Sequence, residues 1–131
     1  MSGEWIAKGQ PVAILRGDEL VRLTVITRVL KRDIVLDAAE TRNRFRVADY
    51  LEDQDAVRRH TGAWSPSEYL LRADDPRVHA ARERRRTSSA RNNLVRAVRA
   101  WSVGGGSLDV DKVRAVRDAS EALLQRLETE S

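Results

Sequence analysis

The sequence predicts an α+β fold, a small SH3-like antiparallel β-barrel followed by a C-terminal αα-hairpin. Three observations carry that expectation. Residues 11–47 are dense in Val, Ile and Thr, whose branched Cβ favours the pleated conformation. Short polar breaks interrupt them at Gly17-Asp18-Glu19, Lys31-Arg32-Asp33 and Ala38 to Thr41, the spacing of tight turns in a meander. Asp74-Asp75-Pro76 then brings together residues that start helices, and apolar residues beyond it recur three and four apart. The expected division is a barrel over 1–73 with an insertion at 48–67, then a helical hairpin over 74–131 with helices at about 76–102 and 109–128.

Trp5 to Gln10 reads as a lead-in and Val12 to Arg16 as the first strand. Leu20, Leu23, Thr27 and Leu30 fall at helical spacing, but alternation fits Leu20 to Leu30 as well, and β-branched density decides for strand. Its two faces are Val21, Leu23, Val25, Thr27 and Val29 against Leu20, Arg22, Thr24, Ile26 and Arg28, and the second, with two Arg, is expected to be the wetter. Ile34 to Asp37 gives a third strand. Arg42 to Val47 gives a fourth, in which Phe45 and Val47 point inward and Arg42, Arg44 and Arg46 outward. The acidic insertion has room for one or two helical turns near Tyr50 to His60. A fifth strand is needed for closure, and Tyr69 to Arg72 is the candidate. Ser65-Pro66-Ser67-Glu68 also resembles a capping box, which leaves a helical turn there as the alternative.

Asp75 is placed as the N-cap of a long helix, Pro76 as its first residue, and Gly104-Gly105-Gly106 as its end. Ala90, Leu94, Ala97, Val98 and Trp101 form an apolar stripe near that end. Asp109 caps the last helix, where Val113, Val116, Leu123 and Leu127, with Ser120 in the gap, follow the spacing of a coiled-coil seam. That seam either packs back on the preceding helix or pairs with a second copy as a homodimer. Trp5, Trp64 and Trp101 are expected to anchor packing.

Composition narrows the function classes. No Cys is present, which removes disulfides, thiol catalysis and thiolate metal sites. MSGEWIAKGQ has neither the basic region nor the apolar run of a signal peptide, and no apolar run is long enough to span a bilayer, so a cytoplasmic location and no membrane partner are expected. His60 and His79 have no partners at metal-ligand spacing, and the Asp pairs sit where helices start, so no metal, no cofactor and no enzymatic activity is expected. Gly104 to Gly106 lacks the Lys-Ser/Thr of a phosphate loop.

The informative charge pattern lies in residues 77–99, which hold eight Arg and one Glu. Seven of those Arg fall on a broad arc opposite Leu94 and Trp101, with Arg86 at its edge. Guanidinium groups spaced along one helix suit the phosphates of DNA or RNA. The candidate contacts are Arg77, Arg82, Arg84, Arg85, Arg91, Arg96 and Arg99, assisted by Arg44 and Arg46 of the barrel, where Arg22, Arg28 and Arg42 also sit on strand faces. Phe45, a candidate stacking residue, reads as core. The same pattern also describes a solvated face, or one that meets an acidic protein.

The order of elements, with VITRVLKRDIVLD, Arg44-Phe45-Arg46 and SPSEYLLRADDPRV leading into the Arg-rich helix, resembles small uncharacterised proteins of actinobacterial phages and prophages. Those proteins resemble SH3-like or KOW-like barrels with helical tails. The resemblance covers residues 10–90, carries no catalytic residues, and implies an adaptor to nucleic acid, polymerase or host factors. The expected function is therefore a non-enzymatic accessory protein that binds nucleic acid through the helix face. The alternative is a protein-binding adaptor or inhibitor of a host factor that uses the barrel insertion and the C-terminal seam.

Overall fold

The computed structural model describes residues 3–37, 42–103 and 109–130. Strands β1 (Pro11–Arg16), β2 (Glu19–Val29), β3 (Asp33–Leu36), β4 (Arg44–Arg46), β5 (Tyr50–Leu51), β6 (Ala56–Arg59) and β7 (Glu68–Arg72) come first, with one 3-10 turn at Val47–Asp49. Helices α1 (Pro76–Val103) and α2 (Val110–Glu130) follow. The chain divides into two compact units, Met1–Arg82 and Glu83–Ser131. The division falls inside α1, whose first turns bury Val78 and Ala81 with residues of the strands. The expected breaks at Ala38 to Thr41 and Gly104 to Gly106 lie outside the described residues.

The strands form one sheet in the order β4-β3-β2-β1-β7-β6-β5, antiparallel throughout, rolled into a nearly closed barrel. The α+β class and the barrel with a helical hairpin are as expected. Closure brings β4 against β6. Arg59 on β6 spans the gap, its Nη1 donating to the carbonyls of Arg42 (2.9 Å) and Arg44 (2.8 Å) and its guanidinium lying 4.0 Å from the centre of the Phe45 ring.

Alternation along β1 explains why Val12 to Leu15 is apolar without interruption. Val12 and Ile14 point into the barrel with Trp5, Ile26, Ile34, Leu36, Phe45, Val57 and Leu70. Ala13 and Leu15 point outward, with Leu20, Ala56 and Leu71, to a second cluster that includes Val78 and Ala81 of α1. A strand covered on both faces has no polar alternate positions. Asp75 caps α1 as expected, its Oδ1 accepting from the Arg77 backbone N–H at 2.8 Å. Asp109 does the same for α2 through the N–H of Asp111 at 2.9 Å.

Several expectations are corrected. In β2 the two buried side chains, Leu20 and Ile26, belong to the face expected to be wet, while Leu23 and Val29 on the other are 46% and 38% exposed. The reason is a pair of register shifts. Ile14 faces Arg22 and Leu15 faces Leu20, so Val21 is an extra residue, and Thr27 is skipped in the same way between Ile26 and Arg28. Each bulge moves the following residues to the opposite face, which unbroken alternation cannot foresee. The insertion holds no helical turns near residues 50–60: it supplies β5 and β6, joined by a turn in which Asp55 adopts a φ of 48°. Asp tolerates that left-handed conformation better than most residues, and here its Oδ1 accepts from Trp5 Nε1 (2.8 Å) and Tyr50 Oη (2.5 Å). Residues 68–72 form a strand and no helical turn, hydrogen-bonded to β1 on one side and β6 on the other. Trp5 is buried and Trp101 half-buried, but Trp64 is 99% exposed and anchors nothing.

Candidate nucleic-acid interface

The hairpin unit follows a regular pattern of partial burial. Along α1 the half-buried positions are Glu83, Thr87, Ala90, Leu94, Ala97 and Trp101, and along α2 they are Lys112, Val116, Ala119, Leu123 and Arg126. Both sets alternate steps of three and four, the seam of two helices packed side by side. The antiparallel register is pinned at one end by Arg126, whose Nη2 is paired with the Glu83 carboxylate and also donates to the Glu83 carbonyl at 3.3 Å. Val116 and Leu123, expected in a dimer seam, thus face α1, whereas Val113 and Leu127 are about half exposed, at 50% and 49%. Val98, expected in the α1 stripe, lies at its edge and is 38% exposed.

Glu83 is the single acidic residue of α1. It is turned to the seam, where Arg126 and, at 3.0 Å, Arg86 neutralise it. At about 100° per residue, Arg85, Asn92, Arg96 and Arg99 then fall on the side of α1 away from α2, with Ser88 and Ser89 among them. Arg91 stands at the flank. Arg85, Arg91, Arg96 and Arg99 are exposed, and none has an ion-pair partner among the described residues. A surface groove of about 430 Å³ runs between Arg91, Asn92, Val95, Arg96 and Arg99. At 1.5 Å per residue, Arg85 and Arg96 are roughly 16 Å apart along the axis and Arg96 and Arg99 within one turn, a ladder of donors with no carboxylate between them.

The other expected contacts are used differently. Arg77 is committed within the barrel unit: Nε and Nη2 bind Asp75 at 2.9 and 2.8 Å, and Nη2 also donates to the Gln54 carbonyl at 2.6 Å. Asp75 is buried, and the Arg77 hydrogen bonds hold its carboxyl below the usual range against the opposing effect of burial. Arg44 pairs with Asp33 at 3.1 Å, and Arg84 has an interaction of its own. Arg46 and Arg82 are exposed, with no ion-pair partner among the described residues, and both belong to the barrel unit.

Three polar residues escaped the sequence reading. Glu68 is buried in the barrel and bridges Arg59 (2.6 Å) and Arg16 (2.9 Å). Burial pushes its carboxyl up, but the hydrogen bonds from Arg59 and Arg16 more than offset this and hold it below the usual range. No local signal marks the trio, since its members lie on three different strands. Among the described residues no group of three or more His, Asp or Glu side chains is placed to hold a metal ion, and no helix is long and apolar enough to cross a membrane. Comparison with protein families, curated proteins and solved structures finds no match to this chain.

Proposed function

We propose that this chain is a non-enzymatic accessory protein, acting in the cytoplasm in a phage or mobile-element setting, that binds the phosphate backbone of DNA or RNA through the outward face of α1. Arg85, Arg91, Arg96 and Arg99 are the contacts. The observation that carries the reading is the placement of Glu83: the one carboxylate on α1 is neutralised at the seam, so the opposite face is cationic without interruption. Ser88, Ser89 and Asn92 add neutral donors to the same face. Contacts to phosphates release counterions, so affinity falls steeply with salt.

The test is the affinity of the full chain for random duplex and single strand, measured by fluorescence anisotropy over a salt series. Replacing Arg85, Arg96 and Arg99 together with Ala should lower the slope of log K against log salt by about 2 to 3, since each phosphate contact contributes roughly 0.9. An unchanged slope, with helix content intact by circular dichroism, rejects the face.

A second reading, self-association, is favoured by a separate observation. Val95 and Val98 of α1 and Val113, Leu124 and Leu127 of α2 are 38 to 56% exposed, and helical phase puts them on one side of the antiparallel pair. The segment of α1 in this unit carries six Arg and one Glu, whereas α2 carries four cations and five acids. A second copy laid with its α2 over this α1 covers the apolar side and sets opposite charges together. Sedimentation at increasing concentration should show a dimer that Leu124→Glu returns to monomer with helix content unchanged; a wild-type chain that stays monomeric dismisses this reading.

A further inference from the structure

One end of the barrel opens into a cavity of about 540 Å³. Four arginines line it, Arg16, Arg22, Arg42 and Arg59, with one acidic residue, Glu68. Like charges gathered around a concave surface repel one another, and an anion relieves that repulsion. The arrangement is held in place. Glu68, whose side chain is 6% exposed, grips Arg16 and Arg59, and Arg59 Nη1 is committed to the carbonyls of Arg42 and Arg44. Arg59 and Glu68 therefore position the site and do not contact the ligand. Arg16 keeps 46% of its side chain in solvent, Arg22 is exposed, and Arg42 is exposed with no ion-pair partner among the described residues.

The second observation comes from the loop between β6 and β7. Ser65 and Pro66 line the same cavity, and the residue before them is Trp64, 99% exposed. An indole left wholly in water gains none of the stabilisation its large apolar surface brings on burial. Guanidiniums for a phosphate, with an exposed aromatic residue one position along the chain from the cavity lining, offer the two contacts that proteins use to hold nucleotides.

We infer that the barrel mouth binds a phosphorylated nucleoside, free or within a single strand, with the phosphate held by Arg16, Arg22 and Arg42 and the base stacked on Trp64. The site lies wholly in the barrel unit and does not depend on the proposed role of α1.

Titration calorimetry on the full chain with adenosine monophosphate, inorganic phosphate and a thymidine decamer tests this. Adenosine monophosphate should bind at one site per chain and more tightly than inorganic phosphate by about tenfold or more, the worth of one stacked base. Trp64→Ala should erase that preference, and Arg22→Ala with Arg42→Ala should weaken all three probes, while the α1 variant lacking Arg85, Arg96 and Arg99 should leave adenosine monophosphate binding unchanged. Binding of the decamer alone, lost in the same barrel variants, assigns the site to a strand; binding of the mononucleotide assigns it to a free nucleotide. No saturable binding of any probe at millimolar concentration by the chain lacking Arg85, Arg96 and Arg99, or binding by that chain that survives the addition of Arg22→Ala and Arg42→Ala, overturns the inference.

Discussion

The two units differ in the carboxylates their arginines hold. In the barrel, Arg59 and Arg16 grip buried Glu68, Arg77 grips buried Asp75, and Arg44 pairs with Asp33. In the hairpin, Arg126 and Arg86 hold half-buried Glu83 at the seam, while Arg85, Arg91, Arg96 and Arg99 stand in solvent. Burial divides the units in the same way. Six of the seven strands contribute a buried side chain, whereas α1 contributes only Val78 and Ala81, both before the division at residue 82, and the described residues of the hairpin unit contribute none. A sheet that rolls up covers its own apolar face. Two helices cover one stripe each and leave their flanks to water. Counting arginines therefore says little about function until each guanidinium has been followed to its partner.

That contrast makes stability expectations unequal. The largest effect is expected for Phe45→Ala: the ring is 1% exposed and lies under the Arg59 guanidinium, so its removal should cost about 3 to 5 kcal/mol and lower the melting temperature of the barrel sharply. A loss below about 1 kcal/mol would mean the barrel is packed no better than the hairpin.

Acid should act next on the barrel. Asp55, Glu68 and Asp75 are all held below their ordinary values, Asp55 mainly by the hydrogen bonds from Tyr50 and Trp5. A carboxyl with a depressed folded pKa binds its proton first in the unfolded chain. The stability it contributes is present above the ordinary values of 3.8 for Asp and 4.5 for Glu and is lost as pH falls below them. Denaturant midpoints for the barrel should be flat from neutral pH to about 5 and then drop. A parallel fall in the helix signal would tie the two units into one cooperative transition.

The smallest effect is expected for Leu123→Ala, which removes a half-buried side chain from the seam and should cost about 1 kcal/mol at the rate of roughly 25 cal/mol per Å² of apolar surface. Amide hydrogen exchange sharpens the same point: hairpin amides should exchange well before those of β1 and β7, and equal protection would abolish the contrast.

Much of this was legible in the chain itself. Val12 to Leu15, Ile34 to Leu36 and Phe45 declare strands through branched and aromatic side chains, and Asp75-Pro76 and Asp109 declare helix starts through capping chemistry, because both signals act within a few residues. The bulges at Val21 and Thr27 were not legible, and with them the burial of Leu20 and Ile26, since an inserted residue is defined by the strand opposite it. The hairpin of β5 and β6 was hidden in an acidic stretch for a similar reason: Ala56 and Val57 become core only when β7 pairs beside them.

The candidate sites divide along the same line. Sequence alone determined that α1 carries a dense run of arginines and one acid, because helical periodicity is a local property of the chain. Only the tertiary structure decided that Glu83 turns to Arg126, that Arg77 is spent on Asp75, and that Arg16, Arg22, Arg42 and Arg59 surround one cavity. Apart from Arg77 and Asp75, which are two residues apart, those pairings join residues far apart in the chain or on separate strands, and an electrostatic partner is chosen by distance in space, which the order of residues does not encode.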